Sequence, residues 1–214
     1  MKAAPFLLAL LFCLPSALPA QEPKLTAEEE KLQKLSGIIT WAKAKQAYDE
    51  GLKLFQQAKG DEAVAKFTEA LTLIDKYTDA RFARGRTYYE MHKLEPALAD
   101  FTRVIADQPA SSNAHHQRGL TLWKLNKNDE ALKEFDTAIQ KDPRVYAYHE
   151  SRGVLLAFTK RKEKALADYD MMVALDPLTP SNLERRATLL RELGRNEEAD
   201  EDERQGGRLR DAGF

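Results

Sequence analysis

One spacing governs this chain. Gly51, Gly85, Gly119 and Gly153 stand 34 residues apart, and Ala187 takes the next place. Twelve residues after each comes an alanine: Ala63, Ala97, Ala131, Ala165, Ala199. Four further on stands a large aromatic ring, Phe67, Phe101, Phe135 and Tyr169, until Glu203 breaks the column. Pro109, Pro143 and Pro177 close three of the units, with Asp75 in that place in the first. Several columns in one register mean an array of like units, each able to bury its apolar face only against its neighbours. Within a unit, apolar residues recur at intervals of three and four, the period of a helix. The two small residues sit where a pair of antiparallel helices must approach closely, and the aromatic one turn later fills the space behind the crossing. Proline then ends the second helix, because it lacks an N–H and biases the residue before it away from helical geometry. Between the helices a basic residue (Lys59, Lys93, Lys127, Arg161, Arg195) precedes by two an acidic one (Asp61, Glu95, Asp129, Glu163, Glu197). That order suits the dipole of both helix ends.

These residues in this register resemble the tetratricopeptide repeat family, from about Ala44 to the end of the chain. The resemblance implies an all-α fold, a right-handed superhelical solenoid of antiparallel helix pairs. It gives about four full repeats (44–77, 78–111, 112–145, 146–179) and a degenerate fifth over 180–214 that serves as a C-terminal cap. The chain departs from the family in two places. Ala47, Arg81, His115 and His149 stand where an early aromatic is expected, and Glu50, Arg84, Arg118 and Arg152 where a leucine precedes the glycine.

The second departure has a pattern of its own. The residue before each small one reads Glu50, Arg84, Arg118, Arg152, Arg186, and sixteen residues later the chain reads Lys66, Asp100, Glu134, Asp168, Asp202. Both signs are reversed in the first repeat and normal in the others. This predicts one ion pair joining the two helices of every repeat. Pairing from one repeat to the next is disfavoured, since it sets Lys66 against Arg84.

Each first helix carries a second stripe at i, i+4 and i+7, which is one helix face. It holds Tyr48, Leu52 and Phe55 in the first repeat and Phe82, Arg86 and Tyr89 in the second. The third gives His116, Leu120 and Trp123; the fourth gives Glu150, Val154 and Ala157, with Phe158 adjacent. The packing face already supplies the core; in the resembled family these first-helix positions line the concave side of the solenoid, its usual binding surface. The expected function is therefore a non-catalytic scaffold that binds a protein or peptide in a groove of Tyr48, Leu52, Phe55, Phe82, Arg86, Tyr89, His116, Leu120, Trp123 and Phe158. Tyr48, Phe55, Phe82, Tyr89, His116 and Trp123 are its expected anchors, because aromatics bury large area at low entropic cost. The family's best-defined site, for a terminal carboxylate, needs Lys and Asn where this chain has Tyr48 and Leu52, and that ligand is not expected. The alternative is a structural or assembly subunit at an envelope or membrane, self-associating through terminal repeats.

Residues 25–43 read as an extra amphipathic helix with Leu32, Leu35, Ile39 and Trp41 as its apolar members. It caps the first repeat or lies in the groove, and capping is favoured because solenoid ends require it. Ahead of it, Met1–Ala20 has one positive charge at Lys2, an apolar stretch from Phe6 to Leu14, and the ending Ala17-Leu18-Pro19-Ala20. This is the layout of a secretory signal peptide, with cleavage expected after Ala20 and a secreted or periplasmic destination. A membrane anchor over residues 3–20 is the other reading, against which stand Pro5, Pro15 and Pro19 and the short apolar core. Cleavage also removes Cys13, the only cysteine, so no cysteine-based zinc site or disulfide framework is open to the chain. His115 and His149 share a slot in adjacent repeats but lack an ordered carboxylate partner in sequence, so no metal is expected. With a net charge of -1 and every arginine of the column matched by an acid, no nucleic-acid partner is expected. No nucleophile motif or phosphate loop appears, so neither cofactor, small-molecule substrate nor catalysis is expected.

Overall fold

The structure is a computed structural model that describes residues 26–213. The expected signal segment, residues 1–20, lies outside them. Ten helices occupy the described residues: α1 Ala27–Gln56, α2 Gly60–Leu73, α3 Thr78–Glu90, α4 Leu94–Asp107, α5 Ser112–Lys124, α6 Asn128–Lys141, α7 Tyr146–Phe158, α8 Lys162–Leu175, α9 Pro180–Glu192 and α10 Asn196–Asp211. From α3 onward each first helix begins 34 residues after the last, at Thr78, Ser112, Tyr146 and Pro180. None of these helices is long and apolar enough to cross a membrane.

The chain divides into two units, Met1–Ile38 and Ile39–Phe214. In the first, the described part is the opening of α1, where Leu32, Leu35 and Ile38 are exposed. In the second, Ile39 and Trp41 are likewise exposed, and the helix pairs follow. The separate helix expected over residues 25–43 is thus corrected: α1 runs unbroken to Gln56, with no proline and no left-handed position in it.

The core of the second unit is built from the columns read in the sequence. Ala63, Ala97, Ala131, Ala165 and Ala199 are fully buried, as are Phe67, Phe101 and Phe135. A Cβ added to Gly51 would lie 2.6 Å from the Phe67 ring, one on Gly119 2.6 Å from Phe135, and one on Gly153 2.9 Å from Tyr169. One edge of the ring therefore presses on the glycine, leaving no room for a side chain, which is the physical reason for the column. The fifth repeat confirms the coupling by exception. Glu203 supplies no ring there, and Ala187 keeps its methyl group.

A further 34-residue column is conformational. Ala58, His92, Asn126 and Lys160 have φ between 57° and 60°, and Gly194 has φ 76°. Each ends a first helix in the left-handed region. The next residue donates its N–H five residues back, as from Lys59 to Leu54 and from Lys93 to Tyr88, the bond that closes a helix with a left-handed stop. Only the last position has the residue the geometry favours. A side chain in this region costs roughly 1–2 kcal/mol, and glycine's extra chain entropy offsets part of that. His92→Gly is expected to raise stability by about 0.5–1 kcal/mol in urea melts, with a smaller gain for Asn126→Gly, since asparagine tolerates the region better.

All five expected ion pairs form within their repeats: Glu50–Lys66 at 2.8 Å, Arg84–Asp100 at 2.8 Å, Arg118–Glu134 at 2.6 Å, Arg152–Asp168 at 2.7 Å and Arg186–Asp202 at 2.7 Å. The leucine of the family pattern is replaced by a polar clasp between the two helices. Three arginines also reach back to the preceding repeat: Arg84 to Thr68, Arg152 to Asp136 and Arg186 to Asp170. The expectation that His115 and His149 lack a carboxylate partner is corrected: His115 Nδ1 lies 2.8 Å from Glu134 and His149 Nδ1 2.9 Å from Asp168, each acid in the histidine's own repeat.

Candidate binding groove

Successive first helices touch, α3 with α5 and α5 with α7, whereas no pair of successive second helices does so to the same degree. The first helices α3, α5 and α7 therefore stand on the inner side of the curve in the second unit.

The stripe divides into residues that build the wall and residues that face out of it. Tyr48 packs 5.9 Å from the Phe67 ring and 5.2 Å from Tyr77. Burial pushes its hydroxyl above the usual tyrosine range. Phe82 stands edge-on to Phe101 at 5.6 Å. Leu52 is half-buried, and Leu120 and Trp123 rest partly on the core between repeats three and four. At the far end Phe158 is 70% exposed.

His116 needs correction as a contact residue. It is 6% exposed, its ring 4.7 Å from Tyr148 and 5.7 Å from Phe135, and its Nε2 is 2.8 Å from the Ser151 hydroxyl. It is a joint between repeats three and four. Sequence spacing could not separate it from its column mates, because its partners come from the next repeat. Burial pushes its imidazole down to about 4, with the Ala147 backbone bond and the Glu150 charge acting weakly the other way. The folded value lies below the roughly 6.5 of an unfolded histidine. His116 therefore stabilises fully above that value, and the contribution drains away as pH falls towards 4, on the order of 1–3 kcal/mol. Urea midpoints between pH 7 and 4 are expected to fall accordingly, with a flatter profile in His116→Gln.

Two cations complete the wall. The Arg86 guanidinium lies 5.6 Å from the centre of the Phe55 ring, and the Lys124 ammonium 3.7 Å from that of Tyr89. Each aromatic of the Phe55–Tyr89–Trp123 column up to the third is thus covered by a cation from the following repeat, a favourable electrostatic contact. Lys124 was absent from the sequence-derived set. Its signal was there, as the residue next to Trp123 in the last turn of its helix. Beside Phe55 a cleft of about 530 Å³ opens between repeats one and two, lined also by Thr87, Glu90 and Met91. It offers an apolar floor with one free carboxylate at its edge.

Known proteins with similar features bear out the architecture. Residues 116–180 match the tetratricopeptide repeat family. No curated protein matches the chain in sequence. MamA from Desulfovibrio magneticus RS-1, residues 41 to its end, superposes with a TM-score of 0.72 at 16% identity over 80% of this chain and 97% of that one. MamA AMB-1 gives a TM-score of 0.67 at 20% identity over 80% and 93%. YrrB, described as a TPR protein with an unusual peptide-binding site, gives 0.65 at 16% identity over 86% and 92%. At these identities the likeness is one of fold. Residues 116–180 thus carry tetratricopeptide repeats, and the described helices have the fold of an all-helical tetratricopeptide repeat solenoid.

Proposed function

We propose that the chain is exported and acts as a non-catalytic scaffold that holds a segment of a partner polypeptide in its inner groove. The observation that carries this reading is the column Phe55, Tyr89 and Trp123. Three large aromatics from successive repeats stay partly exposed, and of these Trp123 also rests with one side on the core. Side chains of this kind dominate binding energy at interfaces. Arg86 and Lys124 add charge at the same surface and can turn from the rings to a partner's carboxylates or carbonyls. The peptide-binding site named for YrrB gives the reading support from a like fold. Tyr48, Phe82 and His116 serve here as the floor that positions the column.

The test is capture of partners by the native chain and by a Phe55→Ala/Tyr89→Ala/Trp123→Ala variant. The variant is expected to keep its helical circular dichroism and to lose at least about tenfold in partner recovery. Equal recovery by the folded variant overturns the groove reading. Export is tested separately: the chain recovered outside the cytoplasm should lack residues 1–20, and a full-length chain retained inside overturns that part.

A further inference from the structure

We propose that the two ends of the repeat array are complementary, so that copies of this chain join head to tail, the fifth repeat of one against the first repeat of the next. This inference does not rest on the groove. It rests on what the chain's own internal joints are made of and on what stands in the same places at its two ends.

At three of the four internal joints the arginine that clasps its own repeat also reaches an acceptor sixteen residues earlier, on the second helix of the preceding repeat; Arg118 is the exception. Arg84 donates from Nη1 to the Thr68 hydroxyl at 3.0 Å, Arg152 to Asp136 at 2.7 Å and Arg186 to Asp170 at 2.9 Å. The turns add a second link. Lys93 donates to Asp61 at 2.9 Å and Arg161 to Asp129 at 2.6 Å, each cation again reaching back one repeat.

Counting 34 residues onward from Asp170 gives Arg204, on the last helix. Counting 34 back from Arg84 gives Glu50, on the first. Glu50 opposes in sign all four of its counterparts, Arg84, Arg118, Arg152 and Arg186, and Arg204 opposes Asp136 and Asp170, while Thr68 and Thr102 at that place are uncharged. The clasp of the first repeat is reversed as a whole, with Glu50 bonded to Lys66. A joint between copies made like the internal ones sets Glu50 of one chain against Arg204 of another. An arginine at position 50, as in every other repeat, would meet Arg204 with like charge. The turn link is present as well: the end positions are Lys59 and Glu197, both exposed, and neither has an ion pair among the described residues.

The surfaces leave room for the approach. On the first repeat an open hollow of about 340 Å³ is lined by Ala47, Glu50, Lys66, Glu69 and Leu73 among others. On the last helix Gly207 has no atom within 4 Å of a Cβ position, so backbone can come close there. Arg204 is 64% exposed and held only by Glu201, four-fifths of a turn away, at 2.8 Å. A contact between two different surfaces does not close on itself, so it extends into an open row rather than a dimer. Resting on exposed ion pairs, it is weak and weakened further by salt.

The decisive experiment is sedimentation of the purified chain over a range of concentrations at low and high salt. The native chain is expected to show a mass that rises with concentration at low salt and returns towards the monomer at high salt. Glu50→Lys/Lys66→Glu keeps the clasp but turns the end face over, and it should lower the association constant at least about tenfold. Adding Arg204→Glu to that variant should restore association. Lys59→Glu alone, which touches no clasp, should weaken it in the same direction. A native chain that stays monomeric throughout, or a clasp-reversed variant that associates like the native chain, overturns the proposal. So does failure of Arg204→Glu to rescue.

Discussion

Asp168→Ala is expected to destabilise the second unit by about 3–5 kcal/mol, the cost of breaking an ion pair whose carboxylate is fully buried. Asp168 is fully buried. It accepts from Arg152 Nε at 2.9 Å and Nη2 at 2.7 Å, and bonds His149 Nδ1 at 2.9 Å. His149 is anchored in turn on the Pro143 carbonyl. Those Asp168 bonds, before any other influence, hold the Arg152 guanidinium above the ordinary arginine range. Without the carboxylate, Arg152 keeps only Asp136, which is 62% exposed. The first repeat is the control. Glu50 and Lys66 are 38% and 36% exposed, and Lys66→Ala should cost no more than about 1 kcal/mol. Urea denaturation of the two variants measures the contrast; equal losses would show that burial does not grade the clasps.

Phe135→Ala is expected to cost about 3–5 kcal/mol as well, by a different route. The ring is fully buried and lies against Gly119 so closely that an added methyl carbon would stand 2.6 Å away. It also underlies His116. Its removal leaves a cavity that the helix crossing cannot close, because Ala131 and Gly119 already bring the helices together. The loss should appear in the urea midpoint and in faster hydrogen exchange along α5 and α6. Because neighbouring repeats are linked one to the next, partial unfolding centred on the third repeat is the expected form of the damage.

The helix-pair fold and the clasps were open to reading because each depends on contacts within one unit, where a fixed offset in sequence is a fixed offset in space. Gly119 with Phe135 and Arg118 with Glu134 lie sixteen residues apart, and every repeat reproduces that distance. What depends on the joint between units was harder to see. His116 is buried by Ser151 and Tyr148 of the following repeat, and no pattern inside its own repeat reports their approach. The left-handed column leaves no common mark in the sequence, because four of its five members, Ala58, His92, Asn126 and Lys160, share no side-chain chemistry. Only Gly194 carried the usual sign. The length of α1 was legible in principle: nothing between Thr26 and Gln56 stops a helix, and the apolar grouping around Leu32 and Trp41 suggested a break where no breaker stands. Of the groove, Phe55, Tyr89 and Trp123 stood out by their common interval, whereas Lys124 owes its place to the ring of another repeat.

Repeats three, four and five share an arginine clasp, and the fourth and fifth tie back to their predecessors through the same kind of bond. A gene encoding such a chain can gain or lose a copy of one of these units by unequal recombination, and the new seam is chemically one that the protein already contains. The opening unit has no such freedom. Its inverted polarity suits it to a terminus, so lineages descending from this chain should vary in length through their middle and tail while keeping their first module in first place.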